Sequence, residues 1–151
     1  MDPTKMLEAD HRMAEQLLAR IKKSDGKERA DLIDELATAL LAHMELEERV
    51  VYPKIAMVVG TEEVQEADNE HQLAKKTLKD VLAMSPDEPG IGAAIDALEA
   101  GVAHHIKDEE DEVFPKLRSD GARQLDEMAT AFMHKREELE MDAPADDARA
   151  S

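Results

Sequence analysis

One stretch of this chain occurs twice, and it restricts the possible folds more than any other feature. HMELEERVVYPK begins at His43, and HIKDEEDEVFPK begins at His105. Each copy sets a histidine, a glutamate four residues on, a second glutamate, then valine, an aromatic ring, proline and lysine. The stretch ahead of each copy repeats too: DHRMAEQLL from Asp10 matches EHQLAKKTL from Glu70. The chain is therefore a doubled unit. In each half, one segment presents a histidine, and the next presents a histidine with a carboxylate one helical turn away.

The apolar residues around these motifs recur at steps of three and four. The first segment reads Leu7, His11, Ala14, Leu18, Ile21, and the second Ile33, Leu36, Leu40, His43, Glu47, Val50. The third reads Val64, Ala67, His71, Ala74, Leu78, Val81, and the fourth Ile91, Ile95, Leu98, Val102, His105, Glu109, Val113. That period places each set on one stripe of a helix. Turn signals at KKSDGKE, VVGTEE, MSPDEPG and RSDG separate the segments. Asp2 before Pro3 reads as a helix start. Ala, Leu, Glu, Lys and Met dominate, with two Phe, one Tyr and no Trp. These features predict an all-α fold: an antiparallel up-down four-helix bundle with an additional C-terminal helix from about Ala122 to Met141. The bundle domain is expected over residues 1–141. Residues 142–151 are polar and expected to form a disordered tail. Pro53 and Pro115 fall inside helical stretches, and each is expected to kink or end its helix.

The informative residues are the polar ones inside the apolar stripes. A single histidine there is more often a satisfied core residue than a metal ligand. Here His11, His43, His71 and His105 occupy one stripe each, and Glu47 and Glu109 join two of them. At about 1.5 Å per residue, each hairpin returns its second histidine to within roughly a turn of its first. A buried carboxylate without a partner costs several kcal/mol. Four imidazoles and two carboxylates at one height therefore call for cations. Those donors suit first-row transition metals. Six side chains are too many for one metal with an open position, and suit two metals bridged by the two glutamates.

These stretches resemble the haemerythrin-like, or HHE cation-binding, family: ADHRMAEQLL, HMELEERVVYP, NEHQLAKKTL and HIKDEEDEVFP carry the likeness, which covers about residues 5–118. The resemblance implies a helical bundle holding two iron ions, oxo- or hydroxo-bridged, with His11, His43, Glu47, His71, His105 and Glu109 as ligands. It implies dioxygen, peroxide or nitric oxide as the small-molecule partner, in sensing, iron handling or oxidative-stress handling. A peroxide-consuming or oxidase activity would suit such a centre. Zinc and manganese are compatible with the same donor types.

The chain departs from the oxygen-carrying haemerythrins. Their third helix offers a second histidine one turn after the first, where this chain has Lys75. Their fourth helix spaces its His and Asp by five; here the spacing is four, with Glu110 at five. With one ligand fewer and few aromatic rings, a reactive centre is expected over a reversible oxygen carrier. A ferritin-like di-iron oxidase would use Glu-x-x-His pairs. Glu8 with His11 fits, but Asp68 stands before His71, and His43 and His105 would have no role. A metal-free helical module would leave six polar core residues unexplained.

Other residues are expected to be less involved. His104 is offset from His105 by about 100° of helix and reads as flanking. His134 begins a further HxxxE in the extra helix and reads as solvated. Glu48 and Glu110 are expected at the surface, and Asp10 and Glu70 facing solvent or capping neighbours. Lys75 is expected to extend to the rim, and Tyr52 to pack in the core. Net charge is −17, which disfavours nucleic acid and anionic membranes as partners. There is no cysteine, hence no disulfide, iron–sulfur or thiolate zinc site. No signal peptide and no membrane-spanning stretch are read, so a cytoplasmic location is expected.

Overall fold

The computed structural model describes residues 1–142, all helices and short connections. The first helix, α1 (Pro3–Lys23), begins as the sequence suggests. Asp2 Oδ1 accepts a hydrogen bond from the Thr4 backbone N–H at 2.9 Å, and Pro3 sits in the first turn, where its missing N–H leaves nothing unsatisfied. Helix α2 (Gly26–Leu46) follows and runs into a π-helical turn, Glu47–Val51, then α3 (Tyr52–Val58). Gly60, at φ +126°, makes the turn into α4 (Thr61–Leu82), a conformation open to glycine and rarely to other residues. Helix α5 (Ile91–Asp108), a second π turn (Glu109–Val113) and α6 (Phe114–Asp120) repeat that design. Helix α7 (Ala122–Asp142) completes the described chain. Of the tail expected from residue 142, residues 143–151 lie outside the described residues.

α1 packs on α2 and α4 on α5, giving two helical hairpins in mutual contact through α1 with α5 and α2 with α4. α7 lies against α2, α6 and the first π turn. The core has two apolar clusters. One includes Leu18, Ile33, Leu36, Leu78, Ile95 and Leu98; the other includes Leu7, Leu46, Ile55, Phe114, Met128 and Phe132. The spacing along α1 shows the division: Leu7 belongs to the second cluster, Ala14 to the first, and His11 lies between them in sequence. Burying these side chains is worth roughly 1.5–3 kcal/mol each for the large aliphatic ones. It fixes the helix faces that carry the polar residues.

The prolines do not end their helices. The helix passes from α2 through the first π turn into α3, and from α5 through the second into α6. Each proline is accommodated in the first turn after a π segment. In a regular α-helix, Pro53 would need an N–H for the carbonyl of Arg49, and its ring would clash there. The π turn widens the register by one residue. Tyr52 N–H bonds to the carbonyl of Glu47, five residues back, and Phe114 N–H bonds to that of Glu109. The two glutamates of the HxxxE motifs are thus the first residues of the two π turns.

Candidate metal centre

The six stripe residues meet. His11, His43, Glu47, His71, His105 and Glu109 are all buried; among the described residues only Thr4 and Asp34 are also buried and polar. Their atoms form two overlapping groups of potential metal donors. One comprises His11, His43, Glu47 and Glu109, the other Glu47, His71 and His105. Glu47 Oε1 lies 3.2 Å from His43 Nε2 and 3.1 Å from His71 Nε2. Glu109 places Oε1 3.1 Å from His11 Nε2 and Oε2 3.3 Å from His105 Nε2. Each carboxylate therefore reaches into both hairpins.

A cation fits this arrangement on the chemistry of the donors. His11 Nε2, His43 Nε2, Glu47 Oε2 and Glu109 Oε1 are buried polar atoms without a hydrogen-bond partner. Such atoms are costly unless something positive meets them. Metal-free, protons take that role in part. Burial opposes charge on His43, but Glu47 at Nε2 and Asp10 at Nδ1 outweigh it and push His43 up to about 10. Burial likewise opposes charge on His105, yet Glu109 and Glu47 hold its proton well above the usual imidazole range. Burial raises Glu47, but the charge of His43, together with side-chain hydrogen bonding at Glu47, brings it well below the ordinary carboxylate value.

The outer nitrogens are organised with equal care. His43 Nδ1 lies 2.9 Å from Asp10 Oδ2, and His105 Nδ1 2.9 Å from Glu70 Oε1. His11 Nδ1 is 2.6 Å from Glu110 Oε2, and His71 Nδ1 2.8 Å from Glu48 Oε2. Carboxylates accept, so each Nδ1 carries a hydrogen, and each Nε2 faces inward, where a cation can take the place of a proton. Glu48 and Glu110 were expected at the surface, which the structure corrects; Asp10 and Glu70 were expected to face solvent or cap neighbours, and they do the latter. Each is the residue directly before a lone histidine or directly after a motif glutamate, and each holds a histidine of another helix. A basic side chain backs every one. Arg12 reaches Glu110 at 2.6 Å, Arg136 reaches Asp10 at 2.5 Å, and Lys75 reaches Glu48 at 3.0 Å. His104 Nε2 lies 3.1 Å from Glu70 Oε2.

Lys75 therefore extends outward, one-third exposed, and ends on Glu48. His104 is exposed and flanking, and His134 is exposed on α7, as read from the sequence. Tyr52 packs in the second core cluster, as expected, and its hydroxyl also reaches the centre. It is buried, and its hydroxyl oxygen lies 2.9 Å from His71 Nε2, 3.2 Å from Glu109 Oε2 and 3.4 Å from His105 Nε2. Phe114, its counterpart in the repeat, stacks on His11 with centroids 5.9 Å apart and planes 6° from parallel. Burial, with Glu47 and Glu109 close by, raises the Tyr52 phenol well above its usual value.

A cavity of about 240 Å³ adjoins the centre and touches all four imidazoles. Its walls include Ala14, Leu40, Val102 and Ile106, with Asp10 and Arg136 also lining it.

The profile of the Hemerythrin HHE cation binding domain matches residues 2–117. The chain belongs to this family. As an HHE domain it is a cation-binding protein, and the buried His/Glu cluster supplies the donors. The match ends before α7, so the helix that brings Arg136 to Asp10 lies outside it. A DNA nickase of Nostoc sp. (strain PCC 7120 / SAG 25.82 / UTEX 2576) is 26% identical over 129 residues. The aligned region is 84% of this HHE chain and 37% of the nickase, so the chain spans little more than a third of that relative. The crystal structure of a hemerythrin HHE cation binding domain-containing protein from Mycobacterium kansasii shares the fold, with TM-score 0.76 over 96% of both chains at 22% identity. Among the described residues of this HHE domain, no helix is long and apolar enough to cross a membrane.

Proposed function

We propose that this HHE domain is a non-haem di-iron protein that reacts with, or senses, dioxygen, peroxide or nitric oxide. In this reading α1, α2, α4 and α5 form an antiparallel up-down bundle, with α7 as an additional helix. His11 and His43 would hold one iron and His71 and His105 the other, with Glu47 and Glu109 within reach of both pairs. The observation that carries it is the set of buried donor atoms without hydrogen-bond partners, divided into two groups that share Glu47. Iron over zinc or manganese follows from the haemerythrin resemblance, since imidazole suits zinc as well as iron.

Bound iron supplies Lewis acidity and one-electron chemistry. The chain supplies the rest. Asp10, Glu48, Glu70 and Glu110 fix the tautomer and orientation of the four imidazoles, so their Nε2 atoms stay aimed at the centre when a ligand enters. The cavity walls at Ala14, Leu40, Val102 and Ile106 admit a small neutral molecule more readily than an ion, because nothing on them replaces an ion's hydration. Lys75 ends on Glu48, which leaves the third helix with one imidazole at the centre. One imidazole fewer than the oxygen carriers offer favours turnover over reversible carriage.

The test has two stages. Protein produced with adequate iron should contain about two iron ions per chain by elemental analysis. The reduced protein, mixed with dioxygen or peroxide in a stopped-flow instrument, should oxidise without a long-lived adduct. A complex that releases intact dioxygen when its pressure falls would place the protein among reversible carriers.

A further inference from the structure

We infer that Tyr52 is a protein ligand, giving its phenol oxygen to the metal held by His71 and His105, while Phe114 leaves the metal at His11 and His43 with the position for an incoming molecule. This deepens the di-iron reading and rests on it.

The first argument is distance. Donors bound to one ion at about 2.1 Å, at right angles, lie about 3.0 Å from one another. The Tyr52 oxygen is 2.9 Å from His71 Nε2, 3.2 Å from Glu109 Oε2, 3.4 Å from His105 Nε2 and 3.5 Å from Glu47 Oε1. It stands where another donor to the same ion would stand. With both glutamates reaching both groups, His71 and His105 share four donor residues, and Tyr52 adds a fifth.

The second argument is proton counting. A phenol donates one hydrogen bond. Two carboxylate oxygens and two imidazole Nε2 atoms surround this one, and both imidazoles have their Nδ1 atoms engaged with Glu48 and Glu70. The phenol can give its one hydrogen to a single neighbour among these four, whereas one ion can be shared by all of them.

The third is position. The apolar cavity touches all four imidazoles and is not lined by Tyr52. Tyr52 instead lines a second, acidic cleft that reaches the centre at His105 and Glu109 and includes Glu66, Glu70 and Asp108. The tyrosine thus meets the centre away from the route open to a small apolar molecule, as suits a resident ligand. On ligation the O–H bond breaks, an O–metal bond forms, and the proton leaves to solvent.

Tyr52 is the one tyrosine of the chain, which makes the test specific. Iron-loaded protein should show a visible tyrosinate-to-ferric charge-transfer band. Resonance Raman excitation in that band should enhance phenolate ring modes, and ring-deuterated tyrosine should shift them. The band should vanish in Tyr52→Phe and gain intensity in Phe114→Tyr, with iron content measured alongside. Two irons without phenolate modes would overturn the tyrosine ligand and leave the di-iron reading standing. Protein that binds no iron under reconstitution would overturn both.

Discussion

Arg136 grips Asp10 with a pair of hydrogen bonds, Nη2 at 2.5 Å from Oδ1 and Nη1 at 3.3 Å from Oδ2. The same Oδ2 takes His43 Nδ1 at 2.9 Å. Helix α7, outside the matched family region, is therefore coupled to the centre through one carboxylate. Burial favours the neutral acid, but His43 and Arg136 hold Asp10 below its usual value. Removing a group that orients a metal-binding histidine lowers affinity by about 10- to 100-fold. Arg136→Ala and Asp10→Asn should both fall in that range, read by competition against a chelator of known affinity. Unchanged affinity in both variants would mean that α7 only covers the centre.

Glu48 and Lys75 separate two kinds of support. Glu48 Oε2 touches buried His71 directly at 2.8 Å, whereas Lys75 acts on Glu48 from a one-third exposed position. Solvent-screened ion pairs are worth about 0–1 kcal/mol, a few-fold in affinity. Glu48→Ala should weaken metal binding tenfold or more, and Lys75→Ala by about fivefold or less. The same chelator competition ranks them, and the reverse order would show that Lys75 acts on the centre itself.

Metal removal should destabilise the fold. Chelation leaves Glu47 and Glu109 buried beside each other, with their compensation limited to protons on the histidines. With unbound metal at 100 times Kd, binding adds about 2.7 kcal/mol. For a chain of this size that corresponds to about 5–10 °C in Tm. Differential scanning calorimetry before and after verified chelation measures it; a shift below about 1 °C would argue that the donors bind metal at the surface of the fold's energetics.

The pH dependence has a definite sign. In the metal-free protein His43 is raised from 6.5 to about 10, so its stabilising contribution is complete below 6.5 and disappears as pH climbs through about 10. Glu47 is depressed, so its contribution is complete above 4.5 and disappears as pH falls through its folded value. Between 4.5 and 6.5 both contribute fully. A metal must displace the proton on His43 Nε2, so the loaded form gains as that proton becomes easier to remove. The Tm difference between loaded and metal-free protein should widen from about pH 6 to about pH 9. A narrowing gap would contradict the displacement.

The helices and the six central residues were readable because a regular α-helix repeats every 3.6 residues, and His43 with Glu47, or His105 with Glu109, obey that period. The outer carboxylates were harder to place. Helical-wheel reasoning sets Asp10 and Glu70 about 100° from their neighbouring histidines, toward solvent, and cannot show that this direction faces the next helix. Tyr52 was missed for a different reason. In an unbroken helix it lies five steps from Glu47, about 140° away. The π turn absorbs one residue, about 100° of rotation, and returns Tyr52 to the face of the glutamate. The available signal was proline: Pro53 and Pro115 follow the two motif glutamates at the same spacing.

That relation yields a test of the prolines themselves. Pro53→Ala restores an N–H that can bond to the carbonyl of Arg49, so a regular α-helix competes with the π turn. Alanine also has the higher helix propensity, by about 3 kcal/mol in a helix interior. The metal-free variant should therefore melt at or above the native temperature. Its metal affinity should fall, because the regular register turns Tyr52 from Glu47 and changes the exit of the chain beyond it. Pro115→Ala should act on Glu109 and Phe114 in the same way, without touching the tyrosine. Calorimetry of both metal-free variants, with chelator competition on both, tests the pair. Lower stability with unchanged affinity would mean that the prolines serve the fold alone, and that the π turns persist without them.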